Sequence, residues 1–250
     1  FPYTTLFRSD QVITRRTDFL RDYQNAAYAS RYRAAVDRVR HAEAALGGDR
    51  NEGAPPPPQA GEANRARGQT EQNPNDLPLT DAVARSLFKL MAYKDEYEVA
   101  RLYSDGEFSR ALREQFEGNS GLKVLLAPPL LAQRDPVTGR LQKREFGPWI
   151  FKAFGLLAGL KGLRGTAFDI FGYTAERKME RALPVDYSAM ILRHLDGNKP
   201  LDLPRLVALA KAADLVRGYG HIKEGNVARY RTECARLERA IGQPLAQAAE

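Results

Sequence analysis

Apolar residues recur at helical spacing through most of the chain, and the stretch Leu87–Tyr103, LFKLMAYKDEYEVARLY, is where that pattern meets charge. Val83, Leu87 and Leu90 share a face with Lys94, Tyr97 and Arg101, while Ala84, Phe88 and Met91 lead into Asp95, Glu98 and Leu102. The stretch reads as one helix that stops near Ser104, before the turn signal Asp105–Gly106. Both of its apolar stripes run into charge, with Lys94, Asp95, Glu96 and Glu98 close together. A charge on a core-facing stripe is costly unless it is paired. Counter-charges are therefore expected elsewhere in the chain.

Upstream, residues 10–46 carry one stripe of Phe19, Leu20, Tyr23 and Ala27 and a second of Tyr28, Tyr32, Ala35, Val36, Val39, Ala42 and Leu46. Their offset predicts a long helix or a helix pair bent within residues 26–30, belonging to the same domain as the rest. Its arginines read as a solvated face, with Arg15 and Arg16 as candidate exceptions. Residues 47–78 contain Pro55–Pro58 and almost nothing large and apolar. Such a composition cannot offset its ordering entropy by burial, so a disordered or extended insertion is expected. The main helical domain then spans 79–242, opening with Thr80 as a helix N-cap.

A short helix is expected over Glu107–Glu117. The segment LKVLLA at 122–127, stopped by Pro128, and a second strand at Arg140–Phe146, after a turn at Asp135, Pro136 and Gly139, predict a two-stranded ribbon near 122–146. Residues 147–165, GPWIFKAFGLLAGLKGLRG, are the most apolar part and read as a buried core helix with a Gly-rich cap. The order of a phosphate-binding loop is absent. A membrane-surface helix, with Lys152, Lys161 and Arg164 around Trp149, Phe151 and Phe154, is the less favoured reading.

Thr174 can cap the next helix, on which Glu176, Arg177, Glu180 and Arg181 read as surface ion pairs. The aromatic entry Phe168, Ile170, Phe171 and Tyr173 is expected to anchor that helix in a core. Two helices, Leu203–Val216 and Lys223–Ile241, are joined by RGYGHIKEGN, in which Gly218 and Gly220 allow a sharp turn. That connection gathers Arg217, His221 and Lys223. With Arg177, they are the expected partners of Asp95, Glu96 or Glu98. The candidate ion-pair or interface residues are thus Lys94, Asp95, Glu96, Glu98, Arg101, Tyr173, Arg177, Arg217, His221 and Lys223. No catalytic residue and no metal ligand set is assigned, since His221 has no second histidine nearby. The tail 243–250 should fray.

The expected fold class is mainly α, a helical domain with a small β-ribbon. Composition narrows the chemistry. The 250 residues carry a net charge of +7, which permits an anionic partner without requiring one. The single cysteine, Cys234, excludes an internal disulfide and any iron–sulfur or cysteine-based zinc site held by this chain alone, and fits a cytoplasmic setting. No apolar run is long enough for a transmembrane helix. Residues 1–9, FPYTTLFRS, read as an artefactual leader that resembles a translated sequencing adapter, so the chain is expected to be a C-terminal fragment.

LFKLMAYKDEYEVARLY, LAPPLLAQRDPVTGR, GPWIFKAFGLLAGLKGLRGTAFDIFGYTAERKMER and RGYGHIK, with the helix FLRDYQNAAYASRYRAAVDRVR, together resemble the C-terminal region of the indolepyruvate ferredoxin oxidoreductases. These belong to the 2-oxoacid:ferredoxin oxidoreductases. The resemblance covers Asp10 to Ile241, and the Pro-rich insertion at 47–78 is its one departure. It implies an enzyme that oxidatively decarboxylates an aryl 2-oxoacid to the acyl-CoA, using thiamine diphosphate and iron–sulfur clusters held upstream. Ferredoxin and coenzyme A are then partners of the full enzyme, and the upstream catalytic domains of the same chain are partners of this fragment. The fragment needs no cofactor of its own and is expected to be inactive alone, with neither a membrane nor nucleic acid as partner. Its basic excess motivates a role near the coenzyme A approach. The competing reading is a free-standing basic helical module that binds nucleic acid or another polyanion.

Overall fold

The helical periodicity resolves, in a computed structural model, into a mainly α domain with one small antiparallel ribbon. The structure describes residues 9–49, 77–104, 106, 110, 123–126, 142, 144–196 and 201–241. In chain order these give α1 (Ser9–Tyr23), α2 (Ala26–Asp49), α3 (Pro78–Met91), α4 (Glu96–Ser104), β1 (Val124–Leu126), β2 (Arg144–Phe146), α5 (Trp149–Gly159), α6 (Ala175–Leu195), α7 (Leu203–Lys211) and α8 (Gly220–Ile241). Short 3-10 turns follow α5 at Lys161–Leu163 and α7 at Ala212–Leu215. The leader before Ser9, the body of the insertion, the expected helix over Glu107–Glu117, the turn around Pro136 and the tail lie outside the described residues.

One apolar core joins α1, α2, α3, α6, α7 and α8. Ile13 and Leu20 of α1, Val36 of α2, Leu79 and Leu87 of α3, Ile191 of α6, and Leu206 and Leu209 of α7 are fully buried in it. Each such side chain stabilises the fold by roughly 1.5–3 kcal/mol through removal from water. The first two helices are thus part of the same unit as the rest. Their bend falls at Gln24–Asn25, where the Asn25 side chain accepts from Tyr28 N–H at 2.8 Å. Of the buried tyrosines in this core, four donate their hydroxyls to carbonyls: Tyr23 to Tyr93, Tyr28 to Met91, Tyr32 to Ala84 and Tyr187 to Ala210, at 2.7 to 3.1 Å. A buried hydroxyl without such a partner would cost about 1–3 kcal/mol, offsetting much of what burial of its ring gains.

The stretch Leu87–Tyr103 is two helices, which corrects the reading of it as one. α3 ends at Met91, and α4 starts after Asp95, whose Oδ1 accepts from Glu98 N–H at 2.9 Å. The break turns the charged positions off the apolar stripes of α3, and the carboxylates gather at the positive end of α4. Thr80 is likewise not an N-cap: α3 starts after Leu77 with Pro78 in its first turn. The buried Glu43 of α2 supplies the cap instead, accepting from the N–H groups of Leu79 at 2.8 Å and Thr80 at 2.7 Å and from the Thr80 hydroxyl at 2.7 Å.

A second, smaller apolar cluster comprises Ala100 of α4, Val124 of β1, and Ile150 and Phe154 of α5. The expected two-stranded ribbon forms, and it pairs Val124 with Phe146 and Leu126 with Arg144. α5 departs from the expectation of a core helix. Only Ile150 and Phe154 are buried, because α5 packs one side on α4 and leaves Trp149 and Leu156 exposed.

Candidate functional site

The charged block of α4 meets its partners at a junction between α1, the start of α4, the loop 160–174, α6 and the start of α8. Its centre is Arg164, which follows the 3-10 turn after α5. Its Nε donates to Asp95 Oδ2 at 2.5 Å and its Nη2 to Asp95 Oδ1 at 2.8 Å, while Nη1 donates to the Tyr23 carbonyl at 2.6 Å. The guanidinium carbon lies 3.7 Å from the Tyr23 ring centroid. Both side chains of the pair are buried, at 2% and 3% exposure. Burial pulls the Arg164 pKa down, but the bonds to Asp95 and the facing tyrosines outweigh it, and the net shift is upward. The Arg164 guanidinium therefore stays charged inside the protein.

Beyond Arg164, Gly165 takes φ +77°, a left-handed conformation that suits glycine. Its N–H donates at 2.7 Å to Asp169 Oδ2, and the buried Tyr97 hydroxyl donates to Asp169 Oδ1 at 3.2 Å. Burial first, then the Asp169 charge, raises the Tyr97 pKa. On the far side, Thr174 caps α6 as expected, accepting from Arg177 N–H at 3.2 Å. Arg177 donates to both oxygens of Glu96, at 3.3 and 3.2 Å, and also pairs with Glu180. Glu180 is buried and receives Lys223 as well, so the expected surface pairs of α6 are interior ones. Glu176 accepts from Gly220 N–H at 2.9 Å and so binds the start of α8.

Of the sequence-predicted set, the structure brings Asp95, Glu96, Glu98, Arg101, Arg177 and Lys223 into this junction. Glu96–Arg177 is an interior pair of the predicted kind. Glu98 is bound by Arg101 on its own helix at 2.8 Å, and Lys223 serves Glu180 rather than the α4 block. Lys94 and His221 are exposed, and Arg217 donates to the Asp214 carbonyl at 2.7 Å. Tyr173 is exposed with Phe168 and Ile170, so the aromatic entry does not anchor α6 in a core; only Phe171 turns inward, edge-on to Tyr97 at 5.4 Å. A loop that crosses a buried carboxylate places its polar backbone inside and its alternate side chains outside.

Arg164 and Asp169 are the residues that the sequence reading missed. An arginine within a Gly-rich apolar run is itself a costly charge that demands a partner, which is the argument that had singled out Asp95. The arginines of α1 and α2 are largely committed within the chain: Arg33 to Asp37, Arg38 to Asp196, Arg40 to Asp10, with Arg16 over the Phe88 ring at 5.0 Å. Burial pushes the Cys234 thiol up to about 11, so it is held protonated and unreactive at neutral pH. Among the described residues, no group of three or more His, Cys, Asp or Glu side chains is arranged to hold a metal, and no helix is long and apolar enough to cross a membrane.

The fold and its junction define a helical module whose interior charges bind one another. The chain belongs to a family of unknown function, DUF6537, whose model matches residues 9–53 and 60–236. Neither a curated protein nor a solved structure matches it.

Proposed function

We propose that the chain is a C-terminal module of an indolepyruvate ferredoxin oxidoreductase, a cytoplasmic enzyme that converts an aryl 2-oxoacid to its acyl-CoA and passes the electrons to ferredoxin. The sequence blocks that resemble that family support the assignment. One observation supports an architectural role for the module itself: within those blocks Asp95, Glu96, Arg164, Asp169, Arg177 and Glu180 face one another rather than an open cleft. Thiamine diphosphate and iron–sulfur clusters then belong to catalytic domains ahead of this chain, on which the module packs. With Lys223 engaged by Glu180 and Arg217 by a backbone carbonyl, coenzyme A affinity of the full enzyme is expected to survive R217A. The decisive test is the reading frame ahead of Asp10, expressed whole and assayed for indolepyruvate-dependent, coenzyme A-dependent reduction of ferredoxin. A frame without thiamine diphosphate and cluster domains, or a complete protein without that activity, overturns the assignment.

A further inference from the structure

The two apolar clusters share no side chain. α1, α2, α3, α6, α7 and α8 close on the larger one, while Ala100, Val124, Ile150 and Phe154 make the smaller one, with Tyr103, Phe146, Phe151 and Leu157 packed around it. Among the described residues, α4 packs closely only along α5, and α5 only along α4 and the 3-10 turn that follows it. α4, the ribbon and α5 thus stand as a lobe beside a six-helix body. The chain enters this lobe at Asp95 and leaves it at Arg164, and the paired bonds between those two residues, at 2.5 and 2.8 Å, hold its ends together.

The seam between lobe and body is mostly polar. Arg164 donates to the Tyr23 carbonyl at 2.6 Å, Gln24 to the Arg164 carbonyl at 3.2 Å, and Lys161 to the Asp22 carbonyl. Arg177 reaches Glu96 at 3.2 Å, and the Tyr97 hydroxyl donates to Asp169 at 3.2 Å. Tyr97 also meets Phe171 edge-on at 5.4 Å, and the Arg101 guanidinium lies 5.3 Å from the centre of the Phe19 ring. Neither ring contact merges the two clusters.

Water can replace hydrogen bonds when such a seam parts, whereas an apolar core that opens forfeits its burial energy. Among the described residues, the lobe core holds four buried side chains where the body core holds twenty-nine. A core that small is too little to stand once its seam has parted. We propose that α4, the ribbon and α5 unfold and refold together as one unit while the six-helix body stays folded. Segments with few buried apolar contacts open below the global transition in this way. The Asp95–Arg164 clasp marks the boundary, because Arg164 is also fastened to the end of α1 and so keeps both ends of the opened stretch on the body. The domain thereby carries an order-to-disorder element, which follows from its packing and not from the activity of a full enzyme.

Native-state hydrogen exchange of the 250-residue chain, read peptide by peptide in a mass spectrometer, tests this. Peptides of α4 and α5 should exchange through one common opening, at least about tenfold more frequent than the opening of α3 and α7. E96A removes a bond across the seam and leaves Arg177 its Glu180 partner. It should speed exchange in α4 and α5 together by about tenfold, the scale of one lost hydrogen bond to a charged group, with α3 and α7 unchanged. I150A, in the lobe core, should act on the same two helices by about thirtyfold. L209A, in the body core, should speed α3 and α7 and leave α4 and α5 as they were. Openings that differ between α4 and α5, or that coincide with those of α3 and α7, overturn the separate unit. So does an E96A effect that is absent or confined to the first turn of α4, or an L209A effect equal in all four helices. α4 and α5 without any protection would overturn the docked lobe itself.

Discussion

The apolar core and the ionic junction hold the same helices by different physics. In the core, Leu20, Leu87, Ile191, Leu206 and Leu209 contribute by leaving water, and the energy is non-directional and tolerant of small shifts. In the junction, Asp95, Arg164, Asp169 and Glu180 are buried too, but each is stable there only while its partners stay within hydrogen-bond reach. The core makes the helices associate. The junction sets how the end of α1, the start of α4 and the loop after α5 meet, because a guanidinium that serves both Asp95 and the Tyr23 carbonyl allows few geometries.

The largest effect should come from breaking the junction on one side. R164A leaves Asp95 buried and uncompensated, and a loss of about 3–5 kcal/mol is expected in urea unfolding. The double variant D95L/R164M should cost less than R164A, since it removes both charges. If it costs as much or more, the α4 cap and the Tyr23 carbonyl bond hold the junction, not the ion pair. In the core, L209A should cost roughly 3 kcal/mol through the cavity that it leaves, with no dependence on salt.

Alkaline pH probes the buried tyrosines of the core. Burial pushes the Tyr28 and Tyr32 hydroxyls up to about 12 from an ordinary value of 10.0. The unfolded chain therefore releases these protons first. Their stabilising share is complete below pH 10 and is lost as pH rises through 12, at about 1.4 kcal/mol per pH unit for each tyrosine. Y28F or Y32F should flatten the fall of stability in that window, as followed by circular dichroism; an unchanged slope would exclude that tyrosine as its source. The smallest of these effects is expected at Glu43. E43A strips the cap from α3 and should cost about 1–2 kcal/mol in the same unfolding assay, and a cost near zero would mean that water caps α3 equally well.

The helices and the ribbon were legible because apolar periodicity reports directly on which face is buried. The break inside Leu87–Tyr103 was legible as well, in Asp95 followed three residues later by Glu98, a capping pattern that a continuous stripe conceals. Glu96 with Arg177 follows from the rule that buried charge needs a partner. Which cation reaches which acid does not, since Asp95 and Arg164 lie 69 positions apart and meet only through the packing of α5 on α4. The exposed Phe168, Ile170 and Tyr173 were misread because hydropathy measures what a side chain prefers, whereas here Asp169 dictates which way the loop backbone faces.

Glu43 has a consequence for how the chain can vary. Its carboxylate fastens α2 directly to the first turn of α3, so the register of those two helices depends little on the polypeptide that connects Asp49 to Leu77. The helical unit on either side should therefore keep its shape when residues of the connection are gained, lost or replaced by a reporter sequence.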